Sequence, residues 1–266
     1  MTTIRSADGT RLNVRIEGAG HGPTVLLAHS VGCDLSLWDA QIPALAGRCR
    51  VVRYDARGHG GSDAPAGDYS IDQLGADALA VLDALDARTA HVVGLSLGGT
   101  LAQWLALHAR DRLASMVLCD TAARLGTDTG WQSRIDMALS QGMAAMADLS
   151  MTRFFSDGFR ARSPETVARF RQGFVATAAH GYAGCCAVLR DCDFRADLER
   201  MAVPTLVIGG REDAPTPPAD AEALVRGIPG AALVLLETGH LSAVEDPDGF
   251  NAALLAHLSA QAGVRR

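Results

Sequence analysis

A chain of 266 residues, 48% hydrophobic and 20% charged, is long enough for one large α/β unit or one unit carrying an insertion. Lys and Arg number 24 against 30 Asp and Glu, and the net charge of −6 argues against nucleic acid or an anionic membrane as the main partner. No stretch approaches the ~18 apolar residues of a membrane span. The opening MTTIRSADGT lacks the basic-then-apolar pattern of a secretion signal, so a cytoplasmic location is expected.

In chain order, residues 3–6 and 11–16 flank Asp8-Gly9, a turn pair that predicts an antiparallel hairpin. Short apolar, β-branched runs follow at 24–29, 50–54, 90–94, 113–119, 204–208 and 232–236. These read as buried strands. Helical spacing fills the intervals at 38–46, 70–85, 97–109, 219–226 and 247–258, and Ser70 with Gln73 fits a capping box. Strand-helix alternation of this kind means parallel strands joined by right-handed crossovers, a sheet covered on both faces.

The alternation stops between about residues 121 and 200. That stretch carries Met137, Met143, Met146, Met151, Phe154, Phe155, Phe170 and Phe174 at scattered helical spacing and no strand-like run. It predicts a helical cap inserted into a core made of residues 1–120 and 201–266. Most of its Met and Phe are expected to form a small core, and a minority to line a pocket. The six cysteines include no CxxC pair, and Cys185, Cys186 and Cys192 lack the spacing of a zinc site, so all six are expected to be free thiols and no metal is expected.

Gly94-Leu95-Ser96-Leu97-Gly98 matches G-x-S-x-G and lies between a predicted strand and a predicted helix, where a nucleophile elbow belongs. The turn should hold Ser96 in a strained backbone with its hydroxyl presented. A serine needs a base to take its proton. Of the eight histidines, His91 falls in a strand, His108 and His257 on helices, His180 in the insertion and His21 ahead of the sheet core. His240 follows the strand at 232–236 on a loop at the carboxyl edge, where catalytic groups of a doubly wound sheet gather. The acid that orients it is expected to be Asp213, after the strand at 204–208, with Glu212 and Asp120 as alternatives. The order Ser96, Asp213, His240 is that of α/β-hydrolases. Two backbone amides, those of Val31 and Leu97, are placed to form an oxyanion hole. The glycine-rich Arg57-Gly58-His59-Gly60-Gly61-Ser62 has no phosphate-loop spacing and reads as a loop supporting the site.

On these residues the chain resembles the α/β-hydrolase superfamily over essentially its whole length. More narrowly, four segments resemble 3-oxoadipate enol-lactonases: Tyr54 to Gly60, Gly94 to Gly99, Asp120 to Gly126 with Trp131, and Gly239-His240-Leu241-Ser242. The third is the most specific of them. Ser30 stands where many relatives carry glycine. The resemblance implies an eight-stranded sheet, a helical cap, no cofactor, and the opening of an enol-lactone to 3-oxoadipate in the β-ketoadipate pathway. A substrate of that kind bears a carboxylate, for which Arg134 is the expected partner and Trp131, about one helical turn away, a pocket wall. A general carboxylesterase and a carbon–carbon bond hydrolase of aromatic catabolism would use the same triad. A non-catalytic receptor on this fold would bind a small molecule without turning it over.

Overall fold

The computed structural model describes residues 2–18, 20 and 22–263; His21 lies outside them. Eight strands form one sheet: β1 (Thr2–Arg5), β2 (Arg11–Gly18), β3 (Thr24–Ala28), β4 (Arg50–Tyr54), β5 (Ala90–Leu95), β6 (Leu113–Cys119), β7 (Thr205–Gly210) and β8 (Ala232–Leu236). Their spatial order is β1-β2-β4-β3-β5-β6-β7-β8. The hairpin expected around Asp8-Gly9 is β1 and β2, which run antiparallel at one edge, and every pairing beyond β2 and β4 is parallel. β5 is buried at every residue, as a central strand covered on both faces must be.

Between strands come α1 (Ile42–Leu45), α2 (Ile71–Ala84) and α3 (Leu97–His108). Ser70 and Gln73 make both bonds of the capping box at the start of α2. The helix expected at 38–46 is instead split into a 3₁₀ segment, Leu35–Gln41, followed by α1. Pro43 explains the break, because it has no N–H and its ring crowds the carbonyl four residues back.

Between β6 and β7 lie α4 (Asp128–Gln141), α5 (Ala147–Phe154), α6 (Asp157–Arg162), α7 (Pro164–Ala176) and α8 (Ala179–Asp191), with no strand among the described residues of that stretch. We refer to these helices as the cap. α4 packs on α8 and α5 on α7, burying Met143, Met146, Met151, Phe155, Phe170 and Phe174. The Phe194 N–H donates to Ala123 O over 2.8 Å, so the chain enters and leaves the cap at one point. A Cβ on Gly181 of α8 would lie 2.4 Å from Gly58 Cα; α8 therefore rests backbone to backbone on the loop after β4.

The chain then closes with α9 (Pro218–Gly227), α10 (Ser242–Glu245) and α11 (Pro247–Gly263). No helix among the described residues is long and apolar enough to cross a membrane, and no cluster of three or more His, Cys, Asp or Glu there could hold a metal ion. All six cysteines are buried free thiols.

Candidate active site

Parallel strands deliver their following loops to one edge of the sheet, and the candidate residues arrive there from separate strands. Ser96 follows β5 and opens α3. Its backbone has φ 56° and ψ −110°, a left-handed conformation that a non-glycine residue holds only under constraint. The flanking glycines make the turn sterically possible. A Cβ on Gly94 would lie 2.0 Å from Gly98 O, and one on Gly98 would lie 2.1 Å from Ala28 O. As the first residue of α3, Leu97 has an amide with no carbonyl one turn back to accept it.

Asp213 is buried, whereas its neighbour Glu212 is exposed. The loop after β7 turns back so that Thr216 donates to Asp213 twice, through its backbone N–H at 2.9 Å and its hydroxyl at 2.5 Å. Pro215 and Pro217 stiffen this loop. The carboxylate so held faces His240, whose Nδ1 is 2.9 Å from one Asp213 oxygen and 3.1 Å from the other. Donation from Nδ1–H to Asp213 leaves Nε2 as the basic nitrogen. His240 is 3% exposed and Phe154 of α5 lies over it, ring centroids 6.2 Å apart and nearly parallel.

Asp120, the alternative acid, makes no hydrogen bond to His240 among the described residues. It accepts instead from Gly210 N–H at 3.0 Å and from the Ser242 N–H and hydroxyl at 3.1 and 2.5 Å. Burial, and then the nearby charge of Asp213, push its pKa well above the ordinary carboxylate range.

The loop after β3 carries Val31. On its far side, the Gly32 N–H donates to His59 Nε2 at 2.9 Å, while the Ala56 N–H donates to His29 Nε2 at 2.9 Å. The Arg57–Ser62 segment thus braces the loop after β3. Arg57 is itself anchored by a two-bond pair with Asp77, at 2.6 and 2.7 Å, both side chains almost fully buried. Burial, and next the neighbouring His29, push the His59 pKa down to about 3, so the ring is neutral and free to accept.

Ser30, Val31, Ser96 and His240 line one small cavity of about 40 Å³, closed by Leu125, Gly126, Trp131, Arg134, Arg153, Phe154 and Pro215. The Ser30 hydroxyl is buried and has no hydrogen-bond partner among the described residues. Gly126, Trp131, Arg134 and Arg153 also line a larger cavity of about 390 Å³ under α4 and α5, which continues past Met137, Met146 and Leu149. Trp131 is held by its Nε1–H, which donates to Leu125 O at 2.6 Å, and the Arg134 guanidinium lies 5.6 Å from its ring centroid. Arg134 also donates to the Tyr182 hydroxyl at 2.9 Å.

Trp131 and Arg134 therefore stand at the same cavity as Ser96. Arg153 is a residue that sequence reasoning missed; α5 brings it beside Arg134. Burial, and next the like charge of Arg134, hold Arg153 below the usual guanidinium range. Among the described residues, no carboxylate lies within ion-pair distance of either arginine.

The family model for the α/β-hydrolase fold matches residues 23–247. The chain belongs to the α/β-hydrolase family. Among curated relatives, this α/β hydrolase is 39% identical over 251 residues to 3-oxoadipate enol-lactonase 2 of Acinetobacter baylyi, covering 94% of each chain. Among solved structures it matches an enol-lactonase from Burkholderia xenovorans with a TM-score of 0.95 at 38% identity, covering 97% of this chain and 100% of that one. A hydrolase from Pseudomonas aeruginosa gives a TM-score of 0.94 at 44% identity, covering 97% of both chains. The elbow, the carboxyl-edge loops and the helices between β6 and β7 of this α/β hydrolase thus lie within a match that spans almost the whole chain.

Proposed function

We propose that this hydrolase opens an enol-lactone bearing a carboxylate, converting 3-oxoadipate enol-lactone to 3-oxoadipate through an acyl-enzyme. The observation that carries this reading is the pair Arg134 and Arg153, without an acidic partner among the described residues, lining the same cavity as Ser96 and His240. Two guanidiniums placed together repel each other, and an anionic substrate group offsets that cost. The similarity to two proteins named enol-lactonases supports the same substrate.

In this reading Ser96 Oγ attacks the lactone carbonyl while His240 Nε2 takes its proton. Asp213 keeps Nδ1 protonated and stabilises the imidazolium. The Val31 and Leu97 amides receive the oxyanion. Collapse breaks the bond from the carbonyl carbon to the ring oxygen, and the imidazolium returns its proton to that oxygen. An enolate leaves more readily than an alkoxide, and the released enol tautomerises to a ketone. Water, deprotonated by His240, then attacks the acyl-enzyme and restores Ser96. Trp131 walls the ring, and Arg134 with Arg153 holds the carboxylate.

The test is kcat/KM on 3-oxoadipate enol-lactone beside a neutral short-chain aryl ester. A preference for the lactone of about two orders of magnitude or more is expected, because a buried cationic site is left unpaired by a neutral ligand. Equal or better rates on the ester would replace this reading with that of a general carboxylesterase.

A further inference from the structure

Asp120 is bonded to the loops that carry the base and the acid, and its two neighbours are bonded to the nucleophile. On one side, Cys119 O accepts the Ser96 N–H at 2.9 Å. On the other, the Thr121 hydroxyl donates to Ser96 O at 2.9 Å. Between them the Asp120 carboxylate reaches across the sheet edge. One oxygen takes the Gly210 N–H, three residues before Asp213; the other takes both donors of Ser242, two residues after His240. The carboxylate continues the ladder from β6 to β7 beyond its last backbone pair, Cys119 with Ile208.

The backbone at Asp120 is held at φ 44°, a conformation uncommon outside glycine that Asp and Asn adopt more readily than other side chains. The chain thus places a buried acid where, among the described residues, it neither lines the cavity nor hydrogen-bonds to the His240 ring. The loops that carry Asp213 and His240 already meet at the His240–Asp213 bond, and Asp120 ties them a second time through three directed hydrogen bonds, more than a residue needed only to fill space requires.

We propose that Asp120 is a positioning residue, and that the segment Cys119–Thr121 is the jig that sets the mutual geometry of Ser96, Asp213 and His240. This rests on reading those three as the catalytic triad. The nucleophile is fixed through its own backbone, the acid through Gly210 and the base through Ser242. Loss of the carboxylate leaves the substrate cavity intact and disturbs only the alignment of the reacting groups. The effect should therefore fall on kcat, and KM should hardly move.

The experiment compares D120N, S242A and the double variant by steady-state kinetics on the preferred substrate and by the rate at which a fluorophosphonate modifies Ser96. Asn tolerates the positive φ and keeps an acceptor for Gly210, but cannot accept both Ser242 donors. D120N should lower kcat and the phosphonylation rate together by about 10- to 100-fold, with KM within about twofold. S242A should lower both by about three- to tenfold, and the double variant should be no worse than D120N, because the two changes break one network.

Rates normalised to phosphonate-titrated sites separate positioning from simple loss of folded protein. Wild-type kcat per titrated site in D120N overturns the proposal. So does S242A at the wild-type kcat and phosphonylation rate, whether or not D120N folds. Failure of the triad reading itself would look different: S96A would keep turnover and the fluorophosphonate would not modify Ser96.

Discussion

His59 accepts the Gly32 N–H at 2.9 Å, so an uncharged imidazole holds the loop that carries the Val31 amide. Its pKa is pushed down to about 3 in the folded protein, chiefly by burial, against 6.5 when unperturbed. The unfolded chain therefore takes up a proton near the higher value while the folded one does not. The stabilisation this gives is fully present above about pH 6.5 and declines as pH falls toward about 3. By about pH 5 the loss from this group alone amounts to about 2 kcal/mol. Urea melts at a series of pH values should show the wild type losing more stability on acidification than H59Q, whose amide oxygen can still accept from Gly32. Parallel pH dependence in the two proteins would count against this account.

Replacing Ser96 tests the core of the chemistry. S96A should keep the fold and reduce kcat by about 10⁴-fold or more, since the base then has no hydroxyl to activate. Turnover within about tenfold of wild type would remove Ser96 as nucleophile.

The two cap arginines should separate substrates by charge. R134A and R153A should each raise KM for the carboxylated lactone by about tenfold, the worth of one charge-assisted hydrogen bond, and change KM for a neutral ester by less than about twofold. An equal effect on both substrates would assign the arginines to cap packing instead.

Asp77 is the buried counterion of Arg57, beneath the loop that carries His59. D77A strands a guanidinium that is 1% exposed, with the partly exposed Asp8 as its remaining ion-pair partner among the described residues. A loss of about 3–5 kcal/mol is expected in urea denaturation. D77N, which keeps one acceptor for Arg57, should lose less.

The core was legible because its signals are local. Strand-helix alternation requires only periodicity, and Gly94 and Gly98 mark the elbow because no other residue fits there. Asp213 follows a readable strand, yet Glu212 beside it was separable only by which side chain the turn buries, and the bonds from Thr216 decide that. Asp120 was equally visible at a strand end. Its partners lie far away in sequence, so a spacing argument could rank it as an alternative acid but could not assign it Gly210 and Ser242. Arg153 was illegible for a related reason. Nothing in α5 distinguishes it from a solvated charge, and its position beside Arg134 arises from the packing of the cap. The split at Pro43 was predictable in kind from the missing N–H, although the helical periodicity of 38–46 obscured it.

The bond between Phe194 and Ala123 closes the cap at its neck. A segment whose two ends are already joined can be lengthened or exchanged at an entropic cost that grows only as the logarithm of its length. Selection can therefore rewrite the helices above the neck, and with them the arginines and the tryptophan, while β6 and β7 remain in register and the residues at the sheet edge keep their places. On the proposed function, specificity and reactivity are in that sense heritable apart from one another in this architecture.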